Sequence, residues 1–375
     1  MLKQFFQMEA ASGIILFGAT ILSFLWVNSP YFLKPNAGNV VLHFIVNEGL
    51  MSVFFFLIGI ELKRSFGQGQ LRGEQLILPG ICALLGMVIP ALIYYGINIS
   101  HENHVKGWAI PVATDIAFAI GILSLFGKRV PAVLKLFLLS LAIYDDLGAI
   151  IIIATFYSHA FTWLGMAWVA LAIASLFILN RYAIQSLSLY LLFGGLLWVA
   201  CLNAHIHPTI SGCILALMLP NRPASGAISL QKIEQTLHPW VAYGIMPLFA
   251  FLNAGVSLTL FNWENLTDTL VLGIILGLFL GKQIGVMTGV GIVACWRRKL
   301  PRDTTWLRFY GIALLCGVGF TMSLFLGTLS FPNDSVYFAK VQLGVVIGSL
   351  LSGIMGALML CVAFAKTSKE RSRLV

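Results

Sequence analysis

Twelve apolar runs fill almost the whole chain and leave little else to fold. They cover residues 9–28, 44–66, 76–98, 108–126, 132–157, 162–180, 186–202, 204–219, 236–260, 269–295, 306–330 and 337–365, with the seventh and eighth the shortest. About 20 consecutive apolar residues cross the hydrocarbon core as a helix, which satisfies its backbone polar groups internally. The runs are continuous rather than alternating, which excludes a transmembrane β-barrel. Only 10% of the 375 residues are charged, against about 25% in soluble domains. The expected fold is an all-α polytopic membrane protein of about twelve helices, forming one integral membrane domain over 1–375. The run Ala10 to Val27 has no small-x-small cleavage pattern after it and is expected to remain as the first span.

A formal net charge of +9 invites a nucleic-acid reading, but the basic residues lie at the ends of the apolar runs. With twelve spans, 19 Lys and Arg fall in segments on the side of the termini and three (Lys34, Lys106 and Lys340) on the other. The positive-inside rule then places both termini in the cytoplasm and the partner surface in the lipid bilayer, not on nucleic acid. The stretch 220–235, with Pro220, Pro223 and Gly226, reads as a cytoplasmic linker between two membrane halves. Six cysteines, each alone in an apolar segment, read as small core residues with no disulfide or metal spacing.

Setting the loop charges aside leaves Asp115, Asp145, Asp146 and Lys282 deep in the membrane. An ionisable group at that depth costs roughly 2.5–3.5 kcal/mol to insert, so it tends to face a cavity and carry function. The four sum to −2 when ionised, a charge that one monovalent cation or two protons would offset. Purely structural ion pairs explain three acids and one base poorly. Asp145 and Asp146 point about 100° apart on a helix, so they cannot share one partner equally. One can pair with Lys282 while the other faces an aqueous cavity, and the two titrate as a coupled pair. Lys282 has about twelve apolar residues on each side, too deep to snorkel.

Two interruptions are expected. Pro111 breaks the fourth span, and Thr114-Asp115 is a good cap pair for a helix that restarts there, with the Asp115 anion facing its positive end. In the eleventh span, Gly317 and Gly319 permit unwinding, and Thr321 and Ser323 offer oxygens. These positions correspond if spans three to five repeat as spans ten to twelve.

VFFFLIGIELKR (53–64), ATDIAFA (113–119), LAIYDDLGAIIIIA (141–154), LHPWVAYGIMPLFAFLNAGVSL (237–258) and CGVGFTMSLF (316–325) together resemble the NhaA-type Na+/H+ antiporters of bacterial inner membranes. The similarity runs from about Phe6 to Phe364. It implies two inverted-topology repeats, approximately 76–157 and 269–365, with interrupted helices crossing near the membrane midplane. It implies electrogenic exchange of one cytoplasmic Na+ or Li+ for two external H+, supporting pH homeostasis and salt tolerance without a cofactor. By the resemblance Asp145, Asp146 and Thr114 bind ion and proton, with Na+ at Asp145 and Asp146, while Asp115 and Lys282 compensate charge at the broken helices and Lys282 pairs with the first aspartate of the couple, Asp145. Glu61, Lys63, Arg64, Glu234 and His238 match positions near the cytoplasmic funnel linked to pH regulation, and His207 matches the eighth-span histidine of the pH response. A homodimer pairing through the 34–43 loop is a further implication, although Pro35 weakens a strand there. Three departures are Ser65 in place of an acid after the basic pair, a less basic segment before Glu234, and Gln283 in place of the proline that often follows the lysine. The last predicts a straighter tenth helix.

Among non-transport classes, an intramembrane aspartyl protease would need one Asp on each of two helices and a Gly-x-Gly-Asp signature. A serine protease would need Gly-x-Ser, where Thr209-Ile210-Ser211-Gly212 has no first glycine. The chain therefore reads as a secondary transporter rather than an enzyme. The alternative within transporters is a sodium-coupled solute symporter, which would need a roomier polar pocket than these residues supply.

Overall fold

The computed structural model describes residues 2–29, 37–67, 74–157, 162–220, 229–298, 300–301, 304–332 and 334–372. Every described element is helical, and helix occupies each of the twelve expected spans. Among the described residues six helices are long and apolar enough to cross a membrane, and two further bent pairs are long and apolar enough if each pair is one span. Shorter apolar helices occupy Ala11–Val27, Leu187–Asn203 and Thr209–Met218. The protein is a multi-pass membrane protein.

Several boundaries differ from the sequence expectation. The ninth helix begins at Leu230, not at 236, and ends at Asn253, not at 260. Leu230–Trp240 is too polar to register as an apolar run, but the Ser229 side chain caps it by accepting from Lys232 N. His238 and Pro239 are interior to this helix, and a wide π-turn at Val241–Ile245 follows. Residues 37–43, assigned to a pairing loop, lie in the helix Ala37–Phe44; Lys34 and Pro35 are outside the described residues. So are 221–228 of the proposed linker, and its 230–235 portion is helical. All six cysteines are free, but Cys295 and Cys361 are exposed rather than core residues.

Two compact units are present. The first comprises Met1–Phe32, Gly73–Ala149 and Ala250–Val375. It contains the order unbroken, broken, unbroken twice: Glu74–Asn98, then 102–124, then 132–149 of the helix Ala132–Phe156; and 269–297, then 306–330, then Ser335–Ser372. Its core gathers Leu78, Leu123, Leu138, Val286, Ile312 and Leu315. Four glycines at intervals of four face the 74–98 helix and the Pro111 turn. A β-carbon on Gly277 would lie 2.7 Å from Pro111 Cβ, on Gly281 2.7 Å from Pro90 Cα, on Gly285 2.4 Å from the Leu85 carbonyl, and on Gly289 2.8 Å from Cys82 Cα. Small residues on one stripe let backbones approach this closely, and dispersion and packing then hold them. The contact fixes the face from which Lys282 projects.

At one end of this unit Asp268 caps the helix beginning at Thr269 by accepting from Leu270 N at 2.9 Å, and accepts from Lys340 Nζ at 2.6 Å. His104 Nδ1 lies 2.9 Å from Thr269 Oγ1 beside it. Burial pushes the Asp268 carboxyl up, but the Lys340 ammonium, the Leu270 N–H and His104 more than offset that and hold it below its usual value. A depressed carboxyl stabilises the fold above its unfolded pKa and loses that contribution as pH falls through its folded value. Asparagine caps a helix as well as aspartate, so Asp268→Asn is expected to lower thermal stability by up to about 1 kcal/mol at pH 7 through loss of the ion pair with Lys340. The deficit should shrink as pH falls below about 4, the ordinary carboxylate range in which the unfolded chain takes up its proton first. Melting of the purified protein at the two pH values checks this; an equal deficit at both would remove the charge argument.

The second unit comprises Leu33–Arg72 and Ile150–Phe249. Its core includes Ile60, Leu176, Tyr190, Leu197 and Ala216. Here a β-carbon on Gly212 would lie 2.0 Å from the Ser52 carbonyl, so the helices Met51–Gly67 and Thr209–Met218 pack backbone against backbone.

Candidate functional site: a buried acid–lysine pair at two broken helices

The fourth span stops at Val112 and restarts at Ile116, bent by 44°, and the eleventh stops at Cys316 and restarts at Phe320, bent by 40°. Both breaks fall where proline or paired glycines relax the helical ladder. Each leaves backbone N–H and C=O groups facing each other inside the protein.

Asp115 closes both. Its own N–H donates to the Val318 carbonyl at 2.7 Å. Its Oδ1 accepts from Phe118 N at 3.0 Å, capping the restarted fourth helix. Its Oδ2 accepts from Thr321 N at 3.1 Å and from the Thr321 hydroxyl, capping the restarted eleventh. One carboxylate therefore faces the positive ends of two half-helices. The sequence placed Asp115 at one helix start; its reach to the second is visible only in three dimensions. Thr321, expected to offer an oxygen, donates its hydroxyl hydrogen to Asp115.

Asp145 and Lys282 meet beside this crossing, both with fully buried side chains. Lys282 Nζ donates to Asp145 Oδ2 at 2.7 Å. The Thr114 hydroxyl lies 2.6 Å from the same oxygen and 2.8 Å from the Cys316 carbonyl, the free end of the first eleventh-span half-helix. The other carboxylate oxygen, Asp145 Oδ1, is buried and has no hydrogen-bond partner among the described residues. A buried carboxylate oxygen without a donor is costly and is suited to a small cation or a proton. Asp146 follows at the next helical position and is 2% exposed. The structure thus decides which carboxylate takes the lysine: Asp145.

The Lys282 helix runs as one continuous span, Thr269–Trp296. A π-helical turn occupies Gly277–Gly281 immediately before the lysine. Gln283 serves this turn: its amide donates to the Phe279 carbonyl at 2.6 Å, and its oxygen accepts from the Tyr310 hydroxyl at 2.7 Å. Wide turns of this kind recur at functional sites because they re-aim one side chain without ending the helix. The four-residue glycine spacing was readable in the sequence as a close-packing stripe, and it is the signal that the sequence reading missed.

In the second unit, the residues matched to pH regulation form pairs of their own. Arg64 Nη2 lies 2.9 Å from Glu234 Oε1. Glu234 and His238 are both buried, one helical turn apart. Lys63 Nζ donates to the carbonyls of Leu217 and Leu219, capping the end of the helix Thr209–Met218 where a cation is favourable. His207 Nδ1 lies 3.3 Å from Glu48 Oε2, a partner that sequence spacing did not suggest. Glu61 is half-buried on the helix Met51–Gly67.

A multi-pass helical protein with two broken spans gathered around a buried acid–lysine pair has the build of a secondary membrane transporter. Comparison with known proteins gives the family. The Na+/H+ antiporter 1 family profile matches residues 3–360. The chain is 44% identical over 386 residues to the Na(+)/H(+) antiporter NhaA 1 of Syntrophotalea carbinolica, covering 97% of each. It is 46% identical over 371 residues to the Na(+)/H(+) antiporter NhaA 2 of Pseudomonas syringae, covering 96% of this chain and 94% of the relative. Against the Na(+)/H(+) antiporter NhaA of Nitrobacter hamburgensis it is 44% identical over 377 residues, covering 97% and 92%. The chain belongs to the Na+/H+ antiporter 1 family.

Proposed function

We propose that the protein exchanges cytoplasmic Na+ or Li+ for external H+ across a bacterial inner membrane, with two protons entering per cation and both termini cytoplasmic. The observation that carries the reading is the unpartnered, buried Asp145 Oδ1 beside the lysine-held Oδ2 and adjacent to Asp146. The names of the relatives, all Na(+)/H(+) antiporters, support it; nothing favours a solute symporter. Na+ is a hard cation and takes oxygen ligands, which Asp145, Asp146 and Thr114 supply. Protons compete for the same carboxylates, so the site holds one cargo or the other. Loading from the cytoplasm deprotonates the pair; reorientation exposes it outside, where higher acidity reloads protons and releases Na+. The repeats 76–157 and 269–365 carry the site through this change within a single transport domain. Asp115 and Lys282 supply the fixed charges. Glu61, Lys63, Arg64, Glu234, His238 and His207 set the response to pH.

The test is a pH-gradient dye in everted vesicles energised by respiration. Na+ and Li+ should each collapse the gradient and K+ should not. Equal responses to all three, or none to Na+, would defeat the reading.

A further inference from the structure

The two glycines of the eleventh-span break do more than permit a bend. Ser323 is fully buried, and its hydroxyl has no hydrogen-bond partner among the described residues, although its own N–H donates to the Gly319 carbonyl. It fills the place of the missing Gly319 side chain: a β-carbon there would lie 2.1 Å from Ser323 Oγ, 3.0 Å from the Ala113 carbonyl oxygen and 2.8 Å from a Leu278 methyl. Ala113 sits in the extended stretch 113–115, outside any helical ladder, and is the residue before Thr114, whose hydroxyl touches Asp145. A hydroxyl and a carbonyl therefore gather about one point beside Gly319, with hydrocarbon on another side, and the carbonyl belongs to the residue before Thr114. Oxygens that bracket a cation of the size of Na+ or Ca2+ at about 2.3–2.6 Å stand up to about 5 Å apart, and the distances of 2.1 and 3.0 Å from that point keep these two oxygens about that close.

We propose that Ser323 Oγ and the Ala113 carbonyl are additional oxygen ligands of the transported cation, forming a dehydrating contact beside Asp145 and Asp146. This rests on the antiport reading above. Such a contact sets apparent affinity and the preference between Na+ and Li+, since the smaller ion fits a different oxygen spacing. Neighbouring Gly317 supplies an internal comparison. A β-carbon there would lie 2.5 Å from Ser352 Oγ, another buried hydroxyl with no partner among the described residues, but it meets the Leu278 carbonyl and not Ala113.

The experiment measures Na+ and Li+ concentration dependence of exchange in proteoliposomes for wild type, Ser323→Ala, Ser323→Cys and Ser352→Ala, with thermal stability measured alongside. Ser323→Ala is expected to raise the KM for Na+ at least about fivefold and to shift the Na+/Li+ ratio, with kcat and melting temperature near wild type. Ser323→Cys keeps the volume and should show the same KM rise, which covers the case in which the alanine variant folds poorly. Ser352→Ala should leave KM within about twofold. An unchanged KM in both Ser323 variants overturns the proposal, as does an equal rise in Ser352→Ala, which would mean that the break had merely loosened. Absence of Na+-dependent exchange in the wild type would instead strike the antiport reading itself.

Discussion

Asp146→Asn is expected to abolish cation-dependent proton exchange, by at least about 100-fold in rate, while the protein folds and melts as wild type. Dehydrating Na+ inside a protein requires compensating negative charge, and Lys282 already neutralises Asp145 in part at 2.7 Å. Asp146 then supplies the net anion that a monovalent cation needs. Asparagine keeps the shape and one oxygen but cannot take up or release a proton, so both cargoes lose their ligand together. A 100-fold loss corresponds to about 2.7 kcal/mol, within the range for removing a charged hydrogen-bond partner. Purified Asp146→Asn in proteoliposomes, scored for Na+-driven pH change beside its melting curve, decides the matter. Exchange at the wild-type rate would remove Asp146 from the site.

The second large effect is expected at Lys282, in stability as much as in transport. Lys282→Ala leaves Asp145 buried with its ammonium partner gone. Breaking a buried pair from one side costs about 3–5 kcal/mol, because a charge remains uncompensated. The variant should melt well below wild type and gain stability on acidification, as protonation of Asp145 removes the stranded charge. Any exchange that survives should move less net charge per cation. Pairing the change with Asp145→Asn removes both charges and should recover most of the lost stability, a non-additivity that a double-mutant cycle reads directly. If Lys282→Ala kept both wild-type melting and electrogenic exchange, the pair would be an incidental contact.

How much of this was legible beforehand differs by residue. The spans were, because the bilayer demands length and apolarity of every crossing helix. The two breaks were, since Pro111 and the Gly317–Gly319 pair act locally on the backbone. The partner of Lys282 was not legible from residue spacing; only the family resemblance pointed to the first aspartate, Asp145. Adjacent residues 100° apart exchange roles on a small rotation of the helix, and that rotation is set by contacts far away in sequence. The π-turn at Gly277–Gly281 escaped for a related reason: one extra residue in a turn leaves hydropathy unchanged. The start of the ninth helix was missed because Leu230–Trp240 is amphipathic rather than apolar, and a search for crossing segments does not find such a helix.

Asp115 also bears on how such a protein can move. Its single carboxylate grips the starts of two half-helices, its own and one reached at Thr321, 206 positions further along the sequence. Sliding one break past the other would strip an N-terminus of its acceptor, so the two cannot drift separately at low energy. They are riveted at that atom pair and travel as one piece, which makes the crossing a rigid cradle and leaves bending to the segments that join it to the rest of the chain.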